Sequence, residues 1–551
     1  FQHRYEEGNE PFDEDTENRL LSTFIKLESL KKYVFQVVEL QVEVEKPVVA
    51  DIFVRINSEG VSLKSADFIL TWLSVFWDEG REQIEDFARG SRMSAELAAA
   101  FTGKQITWTP QNHHLTVDSG QIVRVAVAVG QNRGKLPDAY NALRGHDRKT
   151  GLADADKQAR ELAKLQAALP LVLNRLNWDE FLRTLTKAGF RSRKMITSAN
   201  TVLYSYALWL IGRTRYNVAV DELRDLMARW FFMSQTTGRY TSSPETKIQQ
   251  DLDRLADIPD GDGQGFKEVL NAVIDNTLTN DYWAIRLPDD LISSSQSASP
   301  AYQAYLAALN ILEADLFALN DKMSHWLDPT ATTVKDVETH HLFPKEYLKS
   351  QLGITDMKRI NQIANFAPTD WATNILISDD PPSIYWPKLT AERSYLTGEL
   401  LSRQQFWHAL PPGWQDMDYS TFLDARRALM AKVIHAGYQR LSDATYQPDL
   451  SQAAEPVIEE PVVAIELHEL IERGLLSTTS ILQGAESEGD ILAAITEDCQ
   501  LEFNGETYDD LTRAARAAGF ESGSGWDYWQ TETDDGTQIS LRQIAAEAGV
   551  N

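Results

Sequence analysis

The sequence predicts a multidomain protein that is mainly α-helical with α+β parts. The chain has 551 residues, of which 43% are hydrophobic and 24% charged, as in ordinary folded proteins large enough for several cores. Apolar residues recur at helical spacing through most of the chain, and short apolar runs bounded by proline or glycine indicate a few strands. Serine-rich or proline-bearing stretches at 293–300 and 442–461 predict linkers.

Composition narrows the class of protein. No apolar run approaches the roughly 20 residues of a membrane span, and the first residues have no apolar signal region. One cysteine, Cys499, excludes an intramolecular disulfide framework. These features predict a cytoplasmic protein that is not a membrane protein.

The net charge of −28 argues against a nucleic-acid partner, but its distribution changes that reading. Residues 451–551 carry 21 Asp and Glu against 4 Arg and no Lys, a net charge of −17. The first 450 residues carry 60 acidic and 49 basic side chains, a net charge of −11. The body of the chain can therefore present local basic faces, such as the one at 191–194.

The most informative stretch follows residue 336. Residues 337–344 form a short run with two adjacent histidines, which predicts a strand that ends at Pro344. After a predicted loop at 345–359, a second apolar run at 365–368 predicts another strand. Thr369 or Asp370 can then cap a helix that begins near residue 371 and ends before two prolines. The predicted order is strand, loop, strand, helix.

The side chains on these elements suit phosphodiester hydrolysis with one divalent metal. Because successive strand residues point to opposite faces, His340 and His341 should have different roles. One imidazole can take a proton from water, and the other can bind a metal together with an amide oxygen. The alternative is a His-His pair used for packing and surface. A structural zinc site is disfavoured, since one cysteine cannot supply a thiolate set.

The residues from His340 to Ser383 also resemble a known family through H-H-L-F-P-K-x-Y-L-K, I-N-x-I-A-N-F and T-N-x-x-I-S-D-x-x-P-S. This pattern is similar to the HNH (ββα-metal) nuclease domain of GmrSD-type modification-dependent restriction enzymes. The resemblance implies a nuclease domain at 301–441 that uses Mg²⁺ or Mn²⁺. Its catalytic residues would be His341 as general base and Asn365 as the side chain that orients it. Its metal ligands would be His340, where Asp is commoner in the family, and Asn374; Asn361 receives no firm role.

The N-terminal region, 1–75, predicts part of an α/β domain, with helices at 15–30 and from Ser62 or Ser65 onward and strands between them. Its run F-V-R-I-N-S-x-G-x-x-L-x-x-A-D resembles the late part of the ParB/sulfiredoxin-like NTPase domain of the same restriction enzymes. The resemblance makes Arg55 and Asn57 candidate nucleotide-binding residues and an NTP a candidate ligand. The family's upstream Asp-Gly-Gln-x-Arg motif does not occur in this chain. The alternative reading of Arg55 and Asn57 is a strand-end salt bridge and a turn.

Helical patterns dominate the middle region, 76–300, which also resembles the helical middle of GmrSD-type proteins. Within it, a turn that contains Arg239 and Tyr240 is followed by serines and Pro244. Arginine, tyrosine and hydroxyl groups can bind DNA phosphates. The alternative is a helix start, with Ser243 as the cap and Pro244 as the first helical residue.

The C-terminal region, 462–551, predicts a small acidic α+β domain. It resembles the restriction-enzyme adenine-methylase-associated domain, with an L-I-x-x-G-x-L opening, an N-G-x-x-Y turn and a final G-W-x-x-W. The resemblance implies a reader of modified DNA, in which Trp526 and Trp529 could hold a base. Two alternatives remain: the tryptophans are core residues, or the acidic domain mimics DNA and restrains the nuclease.

Taken together, the residues predict a metal-dependent DNA endonuclease of a bacterial restriction or antiviral system that cuts or nicks modified or invading DNA. An NTP as regulator and a homo-oligomeric state are further expectations. Two alternatives stay open: a phosphorothioate-sensing defence nuclease, and a catalytically weak DNA-binding or regulatory protein that keeps the nuclease fold.

Overall fold

The computed structural model describes nine parts of the chain and a few single positions between residues 35 and 63. The parts are 14–34, 64–145, 154–327 without residue 297, 337–450, 467–485, 491–508, 511–519, 525–532 and 538–547. The chain divides into two compact units. The first comprises Phe1–Ala409 with Arg427–Pro448, and the second comprises Leu410–Arg426 with Asp449–Asn551.

The described residues of the first unit are helical up to residue 311, which agrees with the helical region predicted at 76–300. Its helices are α1 (Glu14–Ser29), α2 (Ser65–Phe76), α3 (Asp78–Gly90), α4 (Ala95–Thr102), α5 (Ser119–Gln131), α6 (Leu136–Leu143), α7 (Ala155–Val172), α8 (Arg175–Lys187), α9 (Ala199–Thr214), α10 (Val220–Thr236), α11 (Pro244–Arg254), α12 (Gly263–Thr277), α13 (Leu287–Asp290) and α14 (Pro300–Ile311). Helix α9 is apolar on all sides and is buried from Thr201 to Gly212, so it forms the centre on which α5, α10 and α8 pack.

Local sequence explains where these helices begin. Asp118 and Asp154 each accept backbone N–H groups of the first turn of α5 and α7, which satisfies donors that a helix start leaves open. Ser243 precedes α11 with Pro244 as the first helical residue, but its side chain makes no capping bond and its φ is +46°. The predicted capping by Ser243 is therefore wrong in its side-chain detail.

A small α+β segment completes the first unit. Strand β1 (Glu338–His341) pairs antiparallel with β2 (Phe366–Thr369), and α18 (Trp371–Ile377) follows β2 directly. The order of strand, connection, strand and helix is the predicted one. The helices of this α+β segment are α15 (Met323–Trp326), α16 (Lys345–Ser350), α17 (Met357–Ile360), α18, α19 (Pro382–Glu392) and α20 (Gly398–Trp407). The connection predicted as a loop thus contains α16 and α17.

The predicted linker at 293–300 packs against this segment. Its Ser293 carbonyl accepts the backbone N–H of Ile363 at 2.7 Å, and Ser299 caps α14. The helical region and the α+β segment belong to one compact unit. The stretch at 293–300 is therefore an ordered connection within that unit.

The second unit holds a six-stranded antiparallel sheet in the order β6-β5-β4-β3-β7-β8. The strands are β3 (Ile481–Gly484), β4 (Leu492–Ile495), β5 (Leu501–Phe503), β6 (Glu506–Tyr508), β7 (Trp529–Glu532) and β8 (Gln538–Ser540). Four helices supply residues to the core beside this sheet: α22 (Leu467–Glu472), α23 (Leu511–Ala517), α24 (Gly525–Tyr528) and α25 (Leu541–Glu547). Helix α21 (Tyr419–Ser442) lies before these elements in the sequence. The predicted small α+β domain is observed as an antiparallel sheet with helices.

Within the described parts, none of the helices combines the length and the apolar composition that crossing a membrane requires. The predicted strands at 33–42 and 52–56 lie almost wholly outside the described residues. So does most of the predicted linker at 442–461, from residue 451 onward.

Candidate active site

The two histidines of β1 lie on opposite faces of the strand pair. His340 is opposite Ala367 and His341 is opposite Phe366 in the register of β1 and β2. His340 is 3% exposed, whereas His341 is partly accessible. The alternation of a short strand thus gives the two imidazoles different surroundings, as expected.

His341 is a neutral imidazole that shares a hydrogen bond with a neighbouring amide. Its Nε2 lies 3.1 Å from Oδ1 of Asn361, and its ring meets Phe366 edge-on at 4.5 Å. Because an amide oxygen only accepts hydrogen bonds, Nε2 carries the proton in the neutral ring and Nδ1 carries the lone pair. Burial lowers the pKa of His341 below 6.5; the Asn361 bond opposes that shift and nearby Lys345 adds to it. The imidazole is therefore unprotonated at neutral pH.

Asn365 does not orient His341, contrary to the role that the resemblance implies. Its amide is fully buried and accepts the backbone N–H of Phe343 at 2.8 Å. The same amide donates to the carbonyls of Phe343 and Ile360. Asn365 therefore ties the end of β1 to the turn before β2, and Asn361 is the side chain that contacts the base. Asn361 is the first residue after α17, and its side chain contacts His341 on β1.

The two predicted metal ligands lie together. Nδ1 of His340 is 3.1 Å from Oδ1 of Asn374, which is the fourth residue of α18 after its cap, Asp370. In the neutral ring this contact is a hydrogen bond in which Nδ1 donates to the amide oxygen. Two ligands at right angles around an ion at about 2.1 Å also lie roughly 3 Å apart, so the same two atoms could hold one divalent ion once the ring proton is on Nε2. A site with two protein ligands leaves positions for water and phosphate oxygens, as Mg²⁺ and Mn²⁺ sites do. The amide oxygen suits these ions, whereas an imidazole ligand is more typical of zinc and other transition metals.

The surroundings of His340 keep its ring in place. Phe317 stacks on the ring at 5.9 Å, and Tyr385 meets it edge-on at 5.7 Å. The Tyr385 hydroxyl donates to the carbonyl of Leu342 at 2.8 Å, so it also holds the end of β1. Arg393 links α18 to the preceding chain, donating to Thr373 Oγ1 and to the carbonyl of Ala318. These contacts restrict the motion of both proposed ligands.

No group of three or more His, Cys, Asp or Glu side chains able to hold a metal occurs among the described residues. A site built from His340 and Asn374 would have one imidazole and one amide, so it does not depend on such a group. Most of the coordination sphere would come from water and substrate. This composition is unlike that of a structural zinc site, which is closed by four protein ligands.

The turn at Arg239 and Tyr240 is an internal ion-pair site. Tyr240 is fully buried, and its hydroxyl donates to Asp251 at 2.7 Å. Arg239 pairs with the same carboxylate, and its side chain is 12% exposed. Because both side chains are engaged inside the helical region, neither is placed to contact a DNA phosphate.

The two tryptophans of the C-terminal sheet differ. Trp529 is fully buried in the domain core, and its indole Nε1 donates to the Leu511 carbonyl at 3.0 Å. A base could not stack on it without opening the core, so the expectation that it walls a pocket is wrong. Trp526 packs partly buried against the same core. Arg55 and Asn57 lie outside the described residues.

No protein-family model matches the chain, and a search of curated proteins finds no match. The similarity to GmrSD-type enzymes therefore rests on the residues quoted above, and the geometry of the site is independent of it.

Proposed function

We propose that the protein is a metal-dependent HNH-type DNA endonuclease that acts in bacterial defence on modified or invading DNA. The proposal rests on one observation: each of the two adjacent histidines of β1 contacts a different asparagine. His341, hydrogen-bonded to Asn361, would act as the base, and the neighbouring His340 and Asn374 would hold the metal.

The residues divide the chemistry of phosphodiester hydrolysis. Nδ1 of His341 accepts a proton from the attacking water, while Asn361 keeps the ring in the required tautomer and orientation. His340 and Asn374 would hold Mg²⁺ or Mn²⁺, which supplies charge stabilisation to the scissile phosphate and the leaving oxygen. Asn365 maintains the turn that positions Asn361.

Two further functions are alternatives to this proposal. A phosphorothioate-sensing nuclease would use the same site and differs only in what it recognises. A catalytically weak binding protein would be favoured by the buried position of His340, since a ligand that is 3% exposed limits access of a hydrated ion. Control by an NTP depends on the N-terminal region, and homo-oligomerisation remains an expectation.

The test is cleavage of three plasmid substrates by the full chain: unmodified, base-modified and phosphorothioated. Each is incubated with Mg²⁺ or Mn²⁺, with and without NTP. We expect metal-dependent cleavage with preference for one modified substrate. Binding without cleavage of any substrate under all conditions would favour the regulatory reading.

A further inference from the structure

A cavity of about 550 Å³ lies in the first unit beside β1, apart from the metal ligands. This volume is within the roughly 300–1,000 Å³ of typical small-molecule sites. We name it the basic cavity; it is lined by His113, Ser192, Arg193, Lys194, Met195, Gln296, Tyr302, Gln303, Leu306, Met323, Trp326, Leu327, Val337, Thr339 and Pro368.

The charge of the lining contrasts with that of the chain. Arg193 and Lys194 line the cavity and are exposed, as is His113. None of the described lining residues is Asp or Glu, although the whole chain carries a net charge of −28. Arg193 uses one N–H for Thr116 Oγ1 at 3.2 Å, and a guanidinium has further donors for an anion. The cavity is therefore suited to a ligand with a negatively charged group.

The remaining lining is largely apolar, aromatic and held in place. Trp326 donates its indole N–H to Asp321 at 2.8 Å, which fixes the ring. Gln303 donates to the Gln296 carbonyl at 2.8 Å, and Tyr302 is 2% exposed. A fixed aromatic surface binds planar rings without a large loss of side-chain freedom. The lining thus combines an anion-binding part with a surface for a flat apolar group.

The cavity adjoins the face of β1 that carries the proposed base. Val337 and Thr339 line it, and side chains at alternate strand positions share a face, so both are on the face of His341. Pro368, the register partner of Thr339, lines it as well. Thr339 and His341 are two strand residues apart, which is about 7 Å. A group bound in the cavity is therefore close to a phosphate bound at His341.

We propose that the basic cavity binds one nucleotide, with its phosphate on Arg193 and Lys194 and its base against the aromatic lining around Trp326. The nucleotide can be free, or it can be an unstacked nucleotide of a bound DNA strand. If the nucleotide belongs to a DNA strand, the inference rests on the proposed nuclease function and extends it. The nucleotide that is recognised would then lie beside the bond that is cut. Binding of a free nucleotide does not depend on DNA cleavage.

The test uses the full chain without divalent metal, so that binding is measured apart from cleavage. Calorimetry measures the affinity for adenosine 5′-monophosphate and for adenosine, which differs only in lacking the phosphate. A duplex carrying 2-aminopurine is then titrated, since the fluorescence of this base rises when it leaves the stack. We expect the monophosphate to bind at least roughly ten-fold more tightly than adenosine, because the phosphate accepts charge-assisted bonds.

The variant Arg193→Glu/Lys194→Glu should weaken monophosphate binding at least roughly ten-fold. The matched control, Arg89→Glu/Lys104→Glu, makes the same charge change at exposed residues outside the cavity and should bind like the wild type. Leu306→Trp, which narrows the cavity with a larger side chain and no charge change, should also weaken binding. Thermal unfolding of each variant verifies the fold.

A fluorescence rise that the Arg193→Glu/Lys194→Glu change removes identifies the nucleotide as part of DNA; monophosphate binding without such a rise identifies a free nucleotide. The proposal is overturned if neither probe binds, if adenosine binds as well as the monophosphate, or if the cavity variants bind like the wild type. Failure of the nuclease proposal would be seen separately, as nucleotide binding without metal-dependent cleavage.

Discussion

At the scale of single residues, two asparagines near the proposed base have separate tasks. Asn361 contacts His341 and is partly accessible, whereas Asn365 is fully buried and bonds only backbone groups in the contacts described above. Their chemistry is the same, so the sequence alone could not assign the tasks. The difference arises from the turn after α17, which directs one amide toward the strand face and the other into the core.

The pair Asn361→Ala and Asn365→Ala tests this division. Asn361→Ala should lower the cleavage rate roughly ten- to hundred-fold, a part of the roughly 10²–10⁴ that a general base contributes, and should leave stability nearly unchanged. Asn365→Ala should lower the free energy of unfolding by roughly 2–4 kcal/mol, because it leaves buried backbone groups without their partner. Single-turnover cleavage and urea unfolding measure the two effects. Equal loss of stability in both variants would contradict the division.

The pH dependence of cleavage reports the His341 environment. The ring must be neutral to accept a proton, and burial holds its pKa below 6.5. The rate should therefore be more than half of its maximum at pH 6.5 and fall further as the pH drops through the lowered pKa. The Asn361 bond raises this pKa, so Asn361→Ala should shift the acid limb to lower pH while reducing the plateau. Rates over about pH 5 to 8 would show it. An acid limb above pH 6.5 would count against His341 as the base.

At the scale of elements, the order of strands and helices in the site could be predicted from the prolines and the capping residue in the sequence. Pro344 stands directly before α16, three residues after the end of β1 at His341 and not at the strand end as predicted; Asp370 caps α18, and proline begins α19. The helices in the connection between the strands were not predicted, because each is only four to six residues long and gives little periodicity. For Trp529 and for the turn at Tyr240, the sequence left a binding role and a structural role open, since aromatic residues in binding turns and in cores have the same local sequence; the buried side chains agree with the structural alternative.

Helix α18 carries the proposed metal ligand Asn374, so the stability of this helix should affect metal binding. Asp370 Oδ1 accepts the Thr373 N–H at 2.9 Å, and the helix carries Asn374 one residue later. Asp370→Ala should cost roughly 1 kcal/mol of local stability and raise the Mg²⁺ concentration needed for half-maximal cleavage, but less than Asn374→Ala does. Asn365→Ala should leave that concentration nearly unchanged. Metal titrations of the three variants give the comparison, and an equal shift in all three would argue against Asn374 as ligand.

At the scale of the whole molecule, the charge distribution sets how DNA can bind. Residues 451–551 carry −17 of the net −28, so this region cannot add sequence-independent affinity, which comes from Lys and Arg at phosphates. We propose that the C-terminal domain reads a modification, with Trp526 as the remaining candidate contact. The other reading is that it mimics DNA and represses the nuclease.

Truncation before residue 451 separates these readings. Loss of a reader should abolish the preference for modified DNA and leave the rate on unmodified DNA within about two-fold. Loss of an inhibitor should raise cleavage of any DNA, most at low salt, where charge is screened least. Competition between modified and unmodified plasmids at two salt concentrations distinguishes them. Unchanged rate and preference would contradict both.

The central claim is that His341 is the base of a metal-dependent nuclease. It is tested most directly by comparing wild type and His341→Ala on plasmid DNA with Mg²⁺ or Mn²⁺ and with EDTA. A matched control is His468→Ala, which removes an exposed histidine from the C-terminal unit. We predict metal-dependent cleavage by wild type and the control, and a loss of roughly 10²–10⁴ in rate for His341→Ala with DNA binding retained. Cleavage by His341→Ala at the wild-type rate, or wild-type cleavage that persists in EDTA, would contradict the account.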